Sequence, residues 1–221
     1  ALTHMTPVIV LSDGYVANGA GPWNIPDPDH LPKIPLRYPK DPGEFLPYKR
    51  DEDTLARWWA IPGMPGFEHR IGGLESQWET GTVSYIPENH ERMIHVRQDK
   101  IDRIAQFIPV QEITGPSSGD LLIVSWGGTY GAVYAAVEKA LAGGQSVAHA
   151  HLRYLNPFPR NLGDLLQKYK KILVPELNLG QLAKMLKYTF DFPGELIQYN
   201  KVQGQPFKIR ELKEKIDEVL G

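Results

Sequence analysis

The sequence predicts an α/β fold: a three-layer domain around a mostly parallel sheet, preceded by a long ordered arm rich in proline and aromatic residues. Three observations predict it. Beyond residue 115, apolar runs of strand length alternate with runs of helical periodicity, joined by short links. The strand runs are apolar almost throughout, which is the mark of strands covered on both faces. Between residues 20 and 66, by contrast, ten prolines interrupt the chain and exclude regular helix and central strand.

Taken in order, "PVIVLS" (7–12) reads as a buried strand followed by an Asp13-Gly14 turn. The arm at 20–66 interleaves its prolines with Trp23, Tyr38, Phe45, Tyr48, Trp58 and Trp59. A disordered linker is poor in such residues, so the arm is read as ordered and lying on another surface. Residues 67–86 read as a hairpin-like segment, with breaks at Gly72-Gly73 and Gly81. Residues 88–108 form a helix whose apolar stripe is Ile94, Ile101, Ile104, Ala105 and Ile108, extended by His90 and Arg97. Strands follow at 120–126, 146–152, 171–177 and 195–200. Helices lie between and after them at 129–142, 161–169, 180–190 and about 207–220. The domain therefore runs from about 115 to the end with the 88–108 helix packed on it. The expected divisions are 1–19, 20–86 and 87–221.

Composition excludes several classes of function. Lys+Arg 24 against Asp+Glu 26 leaves a formal charge of −2, so no basic surplus marks a nucleic-acid or acidic-membrane partner. Cysteine is absent, which excludes disulfides, thiolate zinc sites, a catalytic thiol and cysteine-held iron–sulfur clusters on this chain. No apolar run is long enough to span a bilayer and no signal-peptide pattern opens the chain, so a cytoplasmic location is expected.

In parallel sheets, ligands sit beyond the carboxyl ends of the strands. Those ends carry Trp126-Gly127-Gly128-Thr129-Tyr130-Gly131, then His151-Leu152-Arg153-Tyr154, then Pro175-Glu176-Leu177-Asn178, then Asn200-Lys201. The glycine turn opens a helix and is similar to a phosphate cradle. It lacks the G-x-G-x-x-G and Walker patterns, however, and a tight strand-to-helix turn explains it equally well. "HERMIH" (90–95) nearly spells a zincin motif, but its histidines are five apart and point about 140° apart on a helix. His149 and His151 share a strand face with Arg153, and a cation there disfavours a metal; no metal site is expected. The strand end at His151 and the Pro-Phe-Pro stop around Phe158 read as a docking edge, with Phe158 a rigid apolar knob. The plainer reading is a core-capping turn. Trp58 and Trp59 are candidate docking anchors on the arm.

Longer blocks carry a resemblance. "PGMPGFEHRIGGLE" (62–75), "VSYIPENHERM" (83–93), "VAHAHLRYLNPFPRNL" (147–162), "KILVPELNLGQLAKMLK" (171–187) and "KVQGQPFK" (201–208) resemble the alpha subunit of 2-oxoacid:ferredoxin oxidoreductases, closest to the 2-oxoglutarate type. The resemblance covers essentially all of the chain. It implies that 1–19 is the tail of a pyrimidine-binding domain, that 87–221 is a transketolase-C-terminal-like domain, and that the chain is a C-terminal fragment of a longer subunit. Ile86 departs from the acidic residue expected at its position, and no residue matches the family's cofactor-activating glutamate. The implied whole-enzyme reaction is oxidative decarboxylation of a 2-oxoacid to an acyl-CoA, with electrons passing to ferredoxin. Thiamine diphosphate, magnesium and an iron–sulfur cluster are then held by other domains or by the beta subunit, and this chain alone binds none of them. Its own share is subunit assembly and cleft shaping, and the isolated fragment is expected to be inactive. A dicarboxylic substrate needs a second carboxylate receptor. Arg70 beside His69, ahead of the Gly72-Gly73 turn, and Arg153 are the candidates, because a planar guanidinium donates two parallel hydrogen bonds to a carboxylate. A non-enzymatic assembly module and a flavodoxin-like nucleotide binder are the alternatives.

Overall fold

The computed structural model describes residues 1–221, which form two compact units. Unit 1 comprises residues 1–10 and 21–107; unit 2 comprises 11–20 and 108–221.

Unit 2 is the predicted α/β layer. Its strands are β1 (Gly119–Trp126), β2 (Val147–Leu152), β3 (Tyr169–Glu176) and β4 (Glu195–Asn200). They form one sheet in the order β2-β1-β3-β4, every pair parallel. The helices are α1 (Gly14–Asn18), then α3 (Tyr130–Ala142), α4 (Leu162–Leu166), α5 (Gln181–Thr189) and α6 (Ile209–Leu220); α2 (Pro87–Arg103) lies in unit 1. Strand alternation sorts the apolar side chains into two cores. Leu122, Val124, Ala148, Ala150, Ile172 and Val174 point to the face covered by α4 and α5, where Leu162, Leu166, Leu182 and Leu186 meet them. Leu121, Ile123, Val147 and Leu173 point to the opposite face, covered by Val133, Ala136, Val137 and Ala140 of α3 and Leu212, Ile216 and Val219 of α6. Each fully buried aliphatic side chain is worth roughly 1.5–3 kcal/mol of transfer free energy, so these two faces dominate the stability of unit 2.

A short segment closes the outer edge of β2: the Thr114 N–H donates to the His149 carbonyl, and the His149 N–H donates to Thr114, both at 2.9 Å. The chain then turns at Gly115, whose φ is +104°. A Cβ there would stand 2.7 Å from the Val147 carbonyl oxygen, so only glycine fits.

Unit 1 contains no extended ladder. Tyr48 pairs with Glu79, Arg50 with Arg57, and Ser76 with Val83, each as a single antiparallel bridge. The hairpin-like segment is therefore present at 76–83. The Asp51 carboxylate organises the neighbouring turn, with Oδ1 accepting from the Thr54 N–H and from the Thr54 hydroxyl, both at 2.8 Å. Helix α2 (Pro87–Arg103) groups with this unit.

Three expectations are corrected. Residues 7–12 pair with no strand, and Val8, Ile9, Val10 and Leu11 are exposed; without a hydrogen-bonded neighbour, an apolar extended stretch has nothing to be buried against. The turn expected at Asp13-Gly14 is instead the start of α1, where Asp13 Oδ1 accepts from the Tyr15 N–H at 2.8 Å. On α2 the buried residues are Asn89 and Met93, one turn apart, while Ile94 is 48% exposed. Asn89 decides this: its Oδ1 accepts from the Trp78 N–H at 2.9 Å, and its Nδ2 donates to the Ser76 carbonyl at 3.0 Å. A polar side chain clamping the hairpin sets the rotation of the helix.

Candidate functional site at the ends of β1 and β2

β1 and β2 lie in register, with Ile123 beside His149 and Ser125 beside His151. On the face that looks toward α3, this places one hydroxyl between two imidazoles. Ser125 Oγ is 2.7 Å from His149 Nε2 and 2.8 Å from His151 Nδ1. A hydroxyl has a single proton to donate. It therefore donates to one ring and accepts from the other, and the tautomers of the two histidines are coupled through it.

The surroundings keep both rings neutral. Burial, and then His151, pushes the His149 pKa down to about 3. Burial, and then Arg153, pushes that of His151 down to about 4. The ring of Tyr130, at the start of α3, stands 4.9 Å from that of His151. Outward from the pair opens a cleft of about 370 Å³, bordered by Gln111, Thr114, Tyr130, His151, Arg153 and Tyr154 among others. Asn161 holds one wall: its Oδ1 accepts from the Gln111 N–H at 2.8 Å, and its Nδ2 donates to the Gln111 carbonyl at 3.0 Å. Two neutral imidazoles joined by a hydroxyl can pass a proton without either becoming a stable cation, and Arg153 offers a guanidinium for an anionic group at the rim.

Glu176, fully buried at the end of β3, carries no role in the sequence reading. Its Oε1 accepts from Leu182 N at 2.8 Å, from Asn178 Nδ2 at 3.1 Å and from Trp126 Nε1 at 3.2 Å, while Oε2 accepts from Ala183 N at 3.1 Å. One carboxylate thus caps α5 and ties it to the end of β1. Its signal in the sequence is a lone acid closing an apolar strand.

The other candidates are placed as follows. Phe158 is only 9% exposed and packs in the core against Phe190, with ring centroids 5.4 Å apart. It is a core-capping residue, so the docking knob expected there is withdrawn: the two prolines turn the ring inward, where apolar area is best buried. The glycine turn is also filled, because a Cβ at Gly128 would stand 2.5 Å from a carboxylate oxygen of Asp13. An acidic side chain lies where a phosphate cradle would receive its anion. In unit 1, His69 Nδ1 lies 2.7 Å from the Phe67 carbonyl oxygen and its ring packs edge-on against Phe45. Arg70 beside it is exposed. Glu75, an acid within reach in sequence, is engaged elsewhere, 2.5 Å from His90 Nδ1 and 3.3 Å from Arg97 Nη1. Trp59 spends its indole N–H on the Leu2 carbonyl at 2.9 Å and is an internal anchor, whereas Trp58 borders a shallow depression of about 210 Å³. No helix is long and apolar enough to cross a membrane.

Comparison with known proteins fits this architecture. Residues 119–212, from β1 into α6, match the pyruvate:ferredoxin oxidoreductase core domain II. The chain is 50% identical over 216 residues, 96% of its length, to the 2-oxoglutarate oxidoreductase subunit KorA of Mycobacterium tuberculosis. Along nearly its whole length the chain is thus similar to one part of a 2-oxoglutarate oxidoreductase subunit. It is also 27% identical to the 2-oxoglutarate synthase subunit KorA of Methanothermobacter marburgensis, again over 96% of its length. The 2-oxoglutarate:ferredoxin oxidoreductase from Magnetococcus marinus, solved with 2-oxoglutarate, coenzyme A and succinyl-CoA bound, superposes with a TM-score of 0.80 at 29% identity, over 89% of this chain and 34% of that one. The chain spans 32% of the length of the Mycobacterium relative and 56% of the Methanothermobacter one.

Proposed function

We propose that this chain serves as part of the alpha subunit of a thiamine diphosphate-dependent 2-oxoacid:ferredoxin oxidoreductase acting on 2-oxoglutarate, which is decarboxylated oxidatively to an acyl-CoA. The observation that carries the reading is 50% identity to a 2-oxoglutarate oxidoreductase subunit across 96% of the chain. A beta subunit, ferredoxin and coenzyme A are the partners in this reading, and the cytoplasm is its setting. When bound in the whole enzyme, thiamine diphosphate supplies the carbanion chemistry. With no cysteine in residues 1–221, thiolate ligands for an iron–sulfur cluster come from another domain or subunit in this reading. This chain's own residues shape the cleft and assemble subunits, with Trp58 and the strand end at His151 as the docking positions.

Arg70 is the first candidate receptor for the distal carboxylate, because its guanidinium is exposed and Glu75 is committed to His90 and Arg97. Arg153, at the rim of the unit 2 cleft, is the second. The test is Arg70→Gln and Arg153→Gln in the complete enzyme, each assayed on 2-oxoglutarate and on a monocarboxylic 2-oxoacid. Loss of a charge-assisted two-point contact lowers kcat/KM for the dicarboxylate alone, by roughly 2–4 kcal/mol of transition-state binding. Equal losses on both substrates would show that the arginine is structural.

The alternative of a pure assembly module is favoured by one observation, the exposed run Val8–Leu11 followed by exposed Trp23 and Ile25. Unchanged kcat/KM on both substrates in the Arg70→Gln and Arg153→Gln variants would favour that alternative.

A further inference from the structure

A second cluster lies within unit 1 and plays no part in the reading above. Arg50 and Arg57 sit directly opposite each other on the antiparallel bridge that closes the Asp51 turn. Like charges in that relation repel, and a sequence does not place them there without a compensating group. The guanidinium of Arg57 lies over the Tyr48 ring, 4.6 Å from its centroid. Arg50 donates through one terminal nitrogen to the Leu55 carbonyl at 2.9 Å, while its Nε is buried without a hydrogen-bond partner. From α2, Lys100 brings a third positive group and donates to the Met5 carbonyl at 2.8 Å. His4, the residue before Met5, also has a buried Nδ1 with no hydrogen-bond partner.

Two acids of this turn and hairpin are already used. Asp51 pairs with Arg37 and holds Thr54, and Glu75 pairs with His90 and Arg97. Partly buried cations gathered without a counter-charge cost free energy that an anion would recover. We propose that Arg50, Arg57 and Lys100 form a binding site for a small-molecule oxyanion, the phosphate or carboxylate head of a ligand. The planar guanidinium forks of the two arginines and an ammonium group brought from α2 suit an acceptor with several equivalent oxygens.

The electrostatics of the cluster support this. Lys100 is pushed down to about 8, first by burial and then by Arg50 and Arg57. The Arg50 guanidinium is lowered by burial and then by Arg57 and Arg97. Each cation thus raises the cost of charging its neighbours, and a bound anion reverses the sign of that field.

The probes are inorganic phosphate and succinate, which separate the phosphate source from the carboxylate source. Each is titrated into the full chain at fixed ionic strength against chloride, by calorimetry and by thermal unfolding. Saturable binding of one equivalent of either probe is expected, with Tm rising by roughly 5–10 °C at a hundred times Kd. Arg57→Gln weakens binding at least tenfold, while its Tm without anion is unchanged or raised, because a like charge has been removed. At pH 8, binding takes up protons onto Lys100, so the heat varies with buffer ionisation enthalpy; Lys100→Met abolishes that variation and serves as the second variant. The proposal is overturned if neither probe saturates, or if Arg57→Gln and Lys100→Met bind as the parent does. The readout needs no turnover, so it stands or falls separately from the role of Arg70.

Discussion

The two units of this chain hold themselves together by opposite means. Every buried apolar residue except Ala56 and Met93 lies in unit 2, in the two faces of a parallel sheet. Unit 1 buries mainly polar groups, namely Thr54, Ser76, Ser84 and Asn89, and the side chain of each bonds to backbone. The difference teaches what proline does to a fold. Regular strands present an apolar side chain at every second residue, so a face of side chains is buried together. A chain punctuated by ten prolines between residues 20 and 66 cannot build that ladder, and satisfies its backbone one side chain at a time. The units also keep different charges inside: unit 2 buries neutral imidazoles, and unit 1 partly buries cations.

The largest test of that contrast is acid. His149 and His151 have folded pKa values near 3 and 4, against an ordinary 6.5 in the unfolded chain. The unfolded state therefore binds more protons between about pH 4 and 6.5. Stability is complete above pH 6.5 and falls as pH drops below it, by at most about 1.4 kcal/mol per pH unit for each histidine. With most of the effect from the deeply buried His149 and the share of the more exposed His151 reduced by solvent screening, a loss on the order of 3 kcal/mol for unit 2 between pH 6.5 and 4.5 is expected in urea titrations, and His149→Gln flattens the profile. An unchanged slope in that variant would mean that the pair is not the cause.

Next in size is Leu173→Ala, in the core between α3 and α6. It is expected to cost roughly 2–5 kcal/mol by denaturant unfolding. A cost below about 1 kcal/mol would break the claim that the apolar faces dominate unit 2.

The smallest effect is expected at Asn89→Ala in unit 1. Removing both clamp bonds leaves the Trp78 N–H and the Ser76 carbonyl buried and unpaired, at about 1–3 kcal/mol. Hydrogen exchange should show the loss locally, at the amides of Trp78 and Ser84, with β1 and β3 unaffected. Loss of protection across the sheet as well would show that the two means of stabilisation are not separate.

Much was legible in the residues alone. The apolar runs at 120–126, 146–152, 171–177 and 195–200 marked all four strands to within two residues at either end, because period and turn chemistry are local properties. The same locality placed His149 and His151 on one strand face. Other features depended on what lies next to a residue in space. "PVIVLS" has the composition of a buried strand, but burial requires a partner strand, and none pairs with it. Phe158 between prolines is equally consistent with a knob and a core cap until Phe190 is seen against it. The helix rotation that buries Asn89 rather than Ile94 follows from hydrogen bonds to Trp78 and Ser76, residues a turn-rich segment away. Ser125 bridging two histidines, Glu176 capping α5 and Arg50 facing Arg57 are all meetings across strands or between elements. Local sequence determined the elements and their faces, because a single backbone's geometry sets those; only the tertiary structure decided which polar groups meet, because cross-strand register and packing bring together residues that no sequence period links.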